Sequence, residues 1–174
     1  MNRYLKGIWL LFAGAFPVTA TKIAYRKTKR RKLNLKNPQT FDEKMEYLKL
    51  YRYADDPLVI QCADKYAVRE YIEKHGCGKL LNTLYGVWDS VEDIPFDDFP
   101  DQFVLKCTHG CHMNIVCDDK SKFDKKQAIS LLSGWMKEKQ WKEQQELHYK
   151  SIQPRIICEK YLKPIGGGVL ATRF

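Results

Sequence analysis

An α+β architecture, with helices packed on a small and mostly antiparallel sheet, is what this sequence predicts. Two helical patterns lead the main body before any strand pattern appears. Two β-type runs separated by a short polar connection then form a hairpin-like unit, and the last strand run follows a further helix, so the order is not the strict alternation of a βα fold. The chain has 174 residues, 44% hydrophobic and 13% aromatic, with ten Gly and seven Pro. That composition supports a buried core and excludes collagen-like, low-complexity and wholly disordered readings.

The elements follow in order. Thr40 with Glu43 three positions on makes a capping box, so a helix should start at Phe41, with Phe41, Met45, Leu48 and Tyr51 at helical spacing. Asp55-Asp56-Pro57 then opens a second helix running toward His75 and stopping at Gly76. Residues 84–88 are short, apolar and aromatic, a strand, and an acidic connection punctuated by Pro95 and Pro100 reads as surface loop. The runs 103–107 and 114–117 are strands with a polar tip at 108–113. Asp124 caps a third helix with Ile129, Leu132, Trp135 and Met136 on one face, and Pro154-Arg155 opens a last strand through Ile156, Ile157, Cys158 and Glu159.

Charge divides the chain. The formal net charge is +9, yet residues 1–41 hold ten Lys or Arg and no Asp or Glu, leaving twenty basic against twenty-one acidic residues beyond. A nucleic-acid-binding body would carry its excess on a folded face, so nucleic acid is not an expected partner. Residues 1–36 read as an apolar and basic arm, 37–162 as the folded region and 163–174 as an atypical tail. In the arm an apolar stretch over residues 7–16 precedes the basic run 22–36. Such a stretch is too short to span a bilayer. It either lies on an anionic membrane surface, inserting Trp9, Leu10, Leu11 and Phe12, or packs on the body beside a solvated basic loop. A secretory signal ending near Val18-Thr19-Ala20 is the third reading, disfavoured by the positive charge that follows. The expected location is the cytoplasm, at the inner membrane face if the arm lies there.

Six cysteines at 62, 77, 107, 111, 117 and 158 sit in regular elements and are expected as reduced thiols, with Cys62, Cys107 and Cys158 buried as small hydrophobes. Cys107, His109, Cys111, His112 and Cys117 crowd together, but without a paired CxxC spacing no metal ligand is assigned. The acidic pairs Asp55-Asp56, Asp97-Asp98 and Asp118-Asp119 suit turns. Lys106 shares a strand face with Val104, so its ammonium is either at a sheet edge or in a cleft with an anion. Thr108, His109 and Gly110 can turn the chain beside it, and turn amides with a lysine suit a polyphosphate.

Five ordered stretches carry a family resemblance: LNLKNPQTFDEK at 33–44, ADKYAVR at 63–69, GVWD at 86–89, PDQFVLKC at 100–107 and PRIICEKYL at 154–162. Together they resemble the TupA-like ATP-grasp family of teichuronopeptide and polysaccharide biosynthesis, often labelled glycosyltransferases. The resemblance implies an ATP-grasp-like N-terminal part and ATP held between two α+β lobes. It also implies an acid and an amine joined through an acyl phosphate, with a cell-envelope polysaccharide precursor as the other partner. Lys106 matches the lysine that reaches the phosphates, His109 and Gly110 begin the flexible loop over them, and Glu159, Tyr161 and Leu162 match the hinge at adenine and ribose. Asp64, Lys65 and Arg69 match a motif without an assigned role. Lys106 and Glu159 are expected to face each other across one crevice. Cys111-His112-Met113 replaces the family's small, glycine-rich stretch, and magnesium ligands are expected in a C-terminal lobe that a truncation has removed, leaving a chain inactive alone. The alternatives are a glycosyltransferase using a nucleotide sugar, marked by an acidic pair beside its pocket, and a non-catalytic module on a membrane or partner.

Overall fold

The computed structural model describes residues 3–163. The predicted tail, apart from Lys163, lies outside the described residues, as does Gly166-Gly167-Gly168. Among the described residues are helices α1 (Arg3–Ala15), α2 (Pro17–Lys29), α3 (Phe41–Tyr51), α4 (Pro57–Ala63), α5 (Val68–Lys74), α6 (Lys125–Trp135) and α7 (Trp141–Gln144). Strands β1 (Leu84–Trp88), β2 (Phe103–Cys107), β3 (Asn114–Cys117) and β4 (Ile156–Lys160) form one sheet in the order β1-β4-β2-β3. Every pairing in it is antiparallel, and the fold is α+β as predicted.

The chain divides into two compact units. The first comprises residues 1–63 with 139–152 and is helical. Its small core joins Tyr25, Leu33, Leu35 and Leu50, with Val18, Tyr47 and Leu147 against it. The basic run 22–36 is only partly loop: Pro17, preorganised for a first helical turn, starts α2 with Phe16 alone between it and α1, and α2 carries residues 22–29 while 30–36 are irregular. At α3 the capping box forms, with Glu43 N donating to Thr40 Oγ1 at 3.4 Å and Thr40 N to Glu43 Oε2 at 3.1 Å. These backbone bonds hold the Glu43 carboxyl below its ordinary range. The face of α3 differs from the expected one. Phe41 and Tyr51 are exposed while Leu50 is buried, because residues 33–35 and α2 approach from the Leu50 side.

The second unit, residues 64–138 with the chain from 153 onward, holds the sheet. The predicted helix from Pro57 toward His75 is interrupted here. Asp64 Oδ1 accepts from Tyr66 N at 2.8 Å and Ala67 N at 3.2 Å, a side-chain turn that competes with helix continuation and separates α4 from α5. Cys62, at the end of α4, is exposed rather than buried. The acidic connection 89–102 is not simply surface loop either: Val91, Ile94, Phe96 and Phe99 are buried in the sheet's core. Its acids face outward while an aromatic run, Phe96, Phe99, Phe103 and Phe123, packs with centroids 4.9–6.1 Å apart. Helix α6 starts from Asp124, whose Oδ1 accepts from Gln127 N at 2.9 Å. It buries Ala128 and Leu132 against the sheet, leaving Ile129 exposed.

Candidate functional site

The site grows from the alternation of β2. Phe103, Leu105 and Cys107 are buried, so Val104 and Lys106 project from the opposite face. On β4 the same rule sends Ile156 and Cys158 into the core and leaves Ile157 and Glu159 on the Lys106 side. Val104 pairs with Glu159 and Lys106 with Ile157, which makes Lys106 and Glu159 diagonal neighbours within reach of long side chains. Lys106 Nζ donates to Glu159 Oε2 at 2.7 Å. The amine and the carboxylate therefore stand side by side on one sheet face, in direct contact, rather than on two walls of a crevice.

Glu159 is 8% exposed and its other oxygen accepts from Arg69 Nη1 at 3.1 Å, while Arg69 Nη2 donates to Asn82 O at 2.8 Å. Each carboxylate oxygen thus has a cationic partner, which is what permits a buried charge. Asn114, opposite Lys106 on β3, keeps its Oδ1 buried with no hydrogen-bond partner. Beside this chain, Arg155 donates from Nη2 to Asp64 Oδ2 at 3.0 Å and lies over the Tyr66 ring with its guanidinium carbon 4.6 Å from the centroid. Lys65 Nζ donates to Gly110 O, and burial pushes the Lys65 ammonium below the ordinary lysine value. Lys65, Arg69, Lys106 and Arg155 thus stand with the buried acids Asp64 and Glu159, while Glu70 and Glu73 are exposed at the cleft beside them. A cleft of about 540 Å³ opens among Tyr66, Ala67, Arg69, Glu70, Glu73, Leu84 and Arg155, a volume in the range of small-molecule sites. Of its exposed acids, Glu70 is occupied by Lys74 at 2.7 Å.

The tip between β2 and β3 is tied down. Cys107 N donates to Met113 O at 3.0 Å and Thr108 N to Arg155 O at 2.9 Å. His109 and Gly110 are buried, and His109 Nε2 lies 3.1 Å from the carbonyl oxygen of Trp135 on α6. His109 therefore points toward the core rather than toward Lys106. His112 takes a left-handed conformation with φ 61°, which Met113 follows into the core. Tyr161 and Leu162 follow the end of β4, the first half-buried and the second exposed. Reasoning from sequence named Lys106 and Glu159 but missed Arg155, whose partner Asp64 is 91 positions away. A basic residue at the mouth of an apolar strand was the available signal.

The model of the TupA-like ATPgrasp family matches residues 43–170, well over half the chain. The chain belongs to that family. No curated protein and no solved structure matches it. All six charged residues of the site lie within the matched span of this TupA-like ATP-grasp chain.

The acidic pairs have local work. Asp56 Oδ1 accepts from Leu58 N and Val59 N at 2.9 and 3.3 Å, and Asp97 pairs with Lys125 at 2.9 Å. Asp118 and Asp119 line a groove of about 370 Å³ with Phe123 and Trp135. There Lys122, with help from Ser121, holds the Asp119 carboxyl down at about 2. Among the described residues no three His, Cys, Asp or Glu side chains converge on one point. These residues do not by themselves fit a magnesium site.

Proposed function

We propose that the Lys106 face of the sheet is the phosphate side of an ATP site in an ATP-dependent ligation. Its setting would be the cytoplasmic assembly, or peptide decoration, of a cell-surface polysaccharide. The observation that carries this reading is the Lys106 ammonium. It is 30% exposed at its side chain, standing on the sheet face opposite the aromatic core and aimed by a carboxylate that Arg69 holds in place. Family membership supports the choice of ATP over other polyanions.

When bound, ATP supplies the phosphoryl group that activates an acid for attack by an amine. The chain's own residues do the rest by position and electrostatics. Lys106 offsets phosphate charge, and Glu159 acts as a positioning residue that fixes the direction of Nζ. Arg69 and Arg155 raise the local positive potential. Tyr161 and Leu162, at the end of β4, offer apolar surface to the adenine. No step of this reading runs through magnesium, since the described residues hold no site for it.

Thermal-shift titration tests the reading, using ATP with and without magnesium and a set of nucleotide sugars. ATP should raise the melting temperature, as a ligand at about a hundred times its Kd stabilises by about 2.7 kcal/mol. Lys106→Ala should abolish the response and Lys106→Arg should retain part of it, with both variants folded by circular dichroism. A response to a nucleotide sugar alone, unaffected by Lys106→Ala, would replace the ligase with the glycosyltransferase. The groove beside Asp118 would then be the place to look.

A further inference from the structure

We propose that α1 and α2 form an amphipathic platform that binds the surface of an anionic lipid bilayer. The helical unit carries two features that its own core does not use. Tyr4, Ile8 and Leu11 fall at i, i+4 and i+7 on α1 and are 81%, 65% and 69% exposed. Leu5 lies beside that stripe and Phe16 closes the helix junction, both more than half exposed. The opposite side of α1 packs inward through Ala13, which is fully buried. Trp9, Leu10 and Phe12 are half-buried there, so of the four residues that the apolar run suggests for insertion only Leu11 lies on the exposed stripe. On α2, Lys22, Ile23, Arg26 and Lys27 share the exposed side, with Arg30 exposed just past its end, while Ala20, Thr21 and Tyr25 face the core.

Charge identifies the occupant. Lys29 and Arg31 are held by Asp42 at 2.9 and 3.7 Å, and Lys6 by Glu143 at 2.8 Å. Lys22, Arg26, Lys27, Arg30 and Lys32 are exposed and make no ion pair with a carboxylate among the described residues. An exposed apolar stripe beside five cations without a carboxylate partner among the described residues matches the two signals that stable interfacial binding requires: insertion of large side chains and attraction to anionic headgroups. A second copy of the chain fits poorly, because a two-fold interface sets the same patch against itself and brings cation against cation. Spanning is excluded by length. The thirteen residues of α1 rise about 20 Å against a hydrocarbon core of about 30 Å, and no described helix is long and apolar enough to cross.

Co-sedimentation of the full chain with phosphatidylcholine vesicles, with and without phosphatidylglycerol, tests the proposal. Binding should appear with the anionic lipid and fall by about tenfold or more between 0.1 and 1 M salt, where the screening length shrinks from about 10 to 3 Å. Ile8→Glu with Leu11→Glu should abolish binding. Arg26→Glu with Lys27→Glu should weaken it by about tenfold or more, and both variants should keep the parent's circular dichroism, since the changed side chains are exposed. Binding that is equal with and without phosphatidylglycerol, or unchanged in the variants, overturns the proposal. So does a dimer in analytical ultracentrifugation that Ile8→Glu with Leu11→Glu dissociates, which would make the stripe a self-association face. The ATP titration is read independently, so failure of one reading leaves the other intact.

Discussion

Two faces of the same strand, one peptide apart, do opposite chemistry. On one side of β2, Phe103, Leu105 and Cys107 are wholly buried with Ile156 and Cys158 of β4. On the other, Lys106 reaches Glu159, which also holds Arg69. The apolar face derives its stability from burial, about 1.5–3 kcal/mol for each large side chain. The charged face gains little net stability, because desolvation offsets much of the attraction between its ions. What it gains is fixed direction: a carboxylate held by two cations leaves the Lys106 ammonium only a narrow range of positions. The difference teaches that the core face carries the fold while the ionic face is free to carry function.

That contrast can be broken experimentally, most strongly on the core face. Leu105→Ala should cost about 2–5 kcal/mol in urea unfolding, because a fully buried methyl cluster is lost and its space fills only partly. Gly86→Ala should cost about 1–3 kcal/mol by the reverse effect, since a Cβ there would lie 2.4 Å from the Trp88 ring. On the ionic face, Glu159→Gln removes the partner of two half-buried cations. With Lys106 30% and Arg69 16% exposed, solvent screening limits the loss to about 1–2 kcal/mol. Lys106→Ala should cost less still, under about 1 kcal/mol, while removing the ATP response. A stability loss from Lys106→Ala equal to that of Leu105→Ala would show that the two faces are not divided in this way.

The thiols sharpen the same contrast with almost no perturbation. Burial pushes the Cys107 and Cys158 thiols up to about 12 from the ordinary 9.0. The folded chain then keeps protons that the unfolded chain releases. Their contribution to stability is complete below pH 9 and is lost as the pH rises toward 12. In native protein at pH 8, Ellman's reagent should modify the exposed Cys62 and Cys77 first. Cys107, Cys117 and Cys158 should react only after denaturation.

Much of this was legible in the residues. The period-two pattern of 103–107, the capping box at Thr40 and the Asp124 cap each depend on neighbours within a few positions, and each forms as the local chemistry dictates. Lys106 stood out for the same reason, as an ammonium in an apolar strand. Helical periodicity over Pro57 to His75 is blind to a side chain that turns the backbone, as Asp64 does. The connection 89–102 reads as surface loop because its acids and prolines mask four buried hydrophobes.

By itself, then, the sequence determined the element types, the alternation that puts a lysine opposite the core, and the family. Only the tertiary structure decided which charges meet: Lys106 with Glu159 across 53 positions, Arg69 with Glu159 across 90 and Arg155 with Asp64 across 91. Strand register and loop closure bring such groups together, and both are properties of the whole fold. A local pattern can say that a buried charge needs a partner, while the partner's identity depends on where the rest of the chain comes to lie.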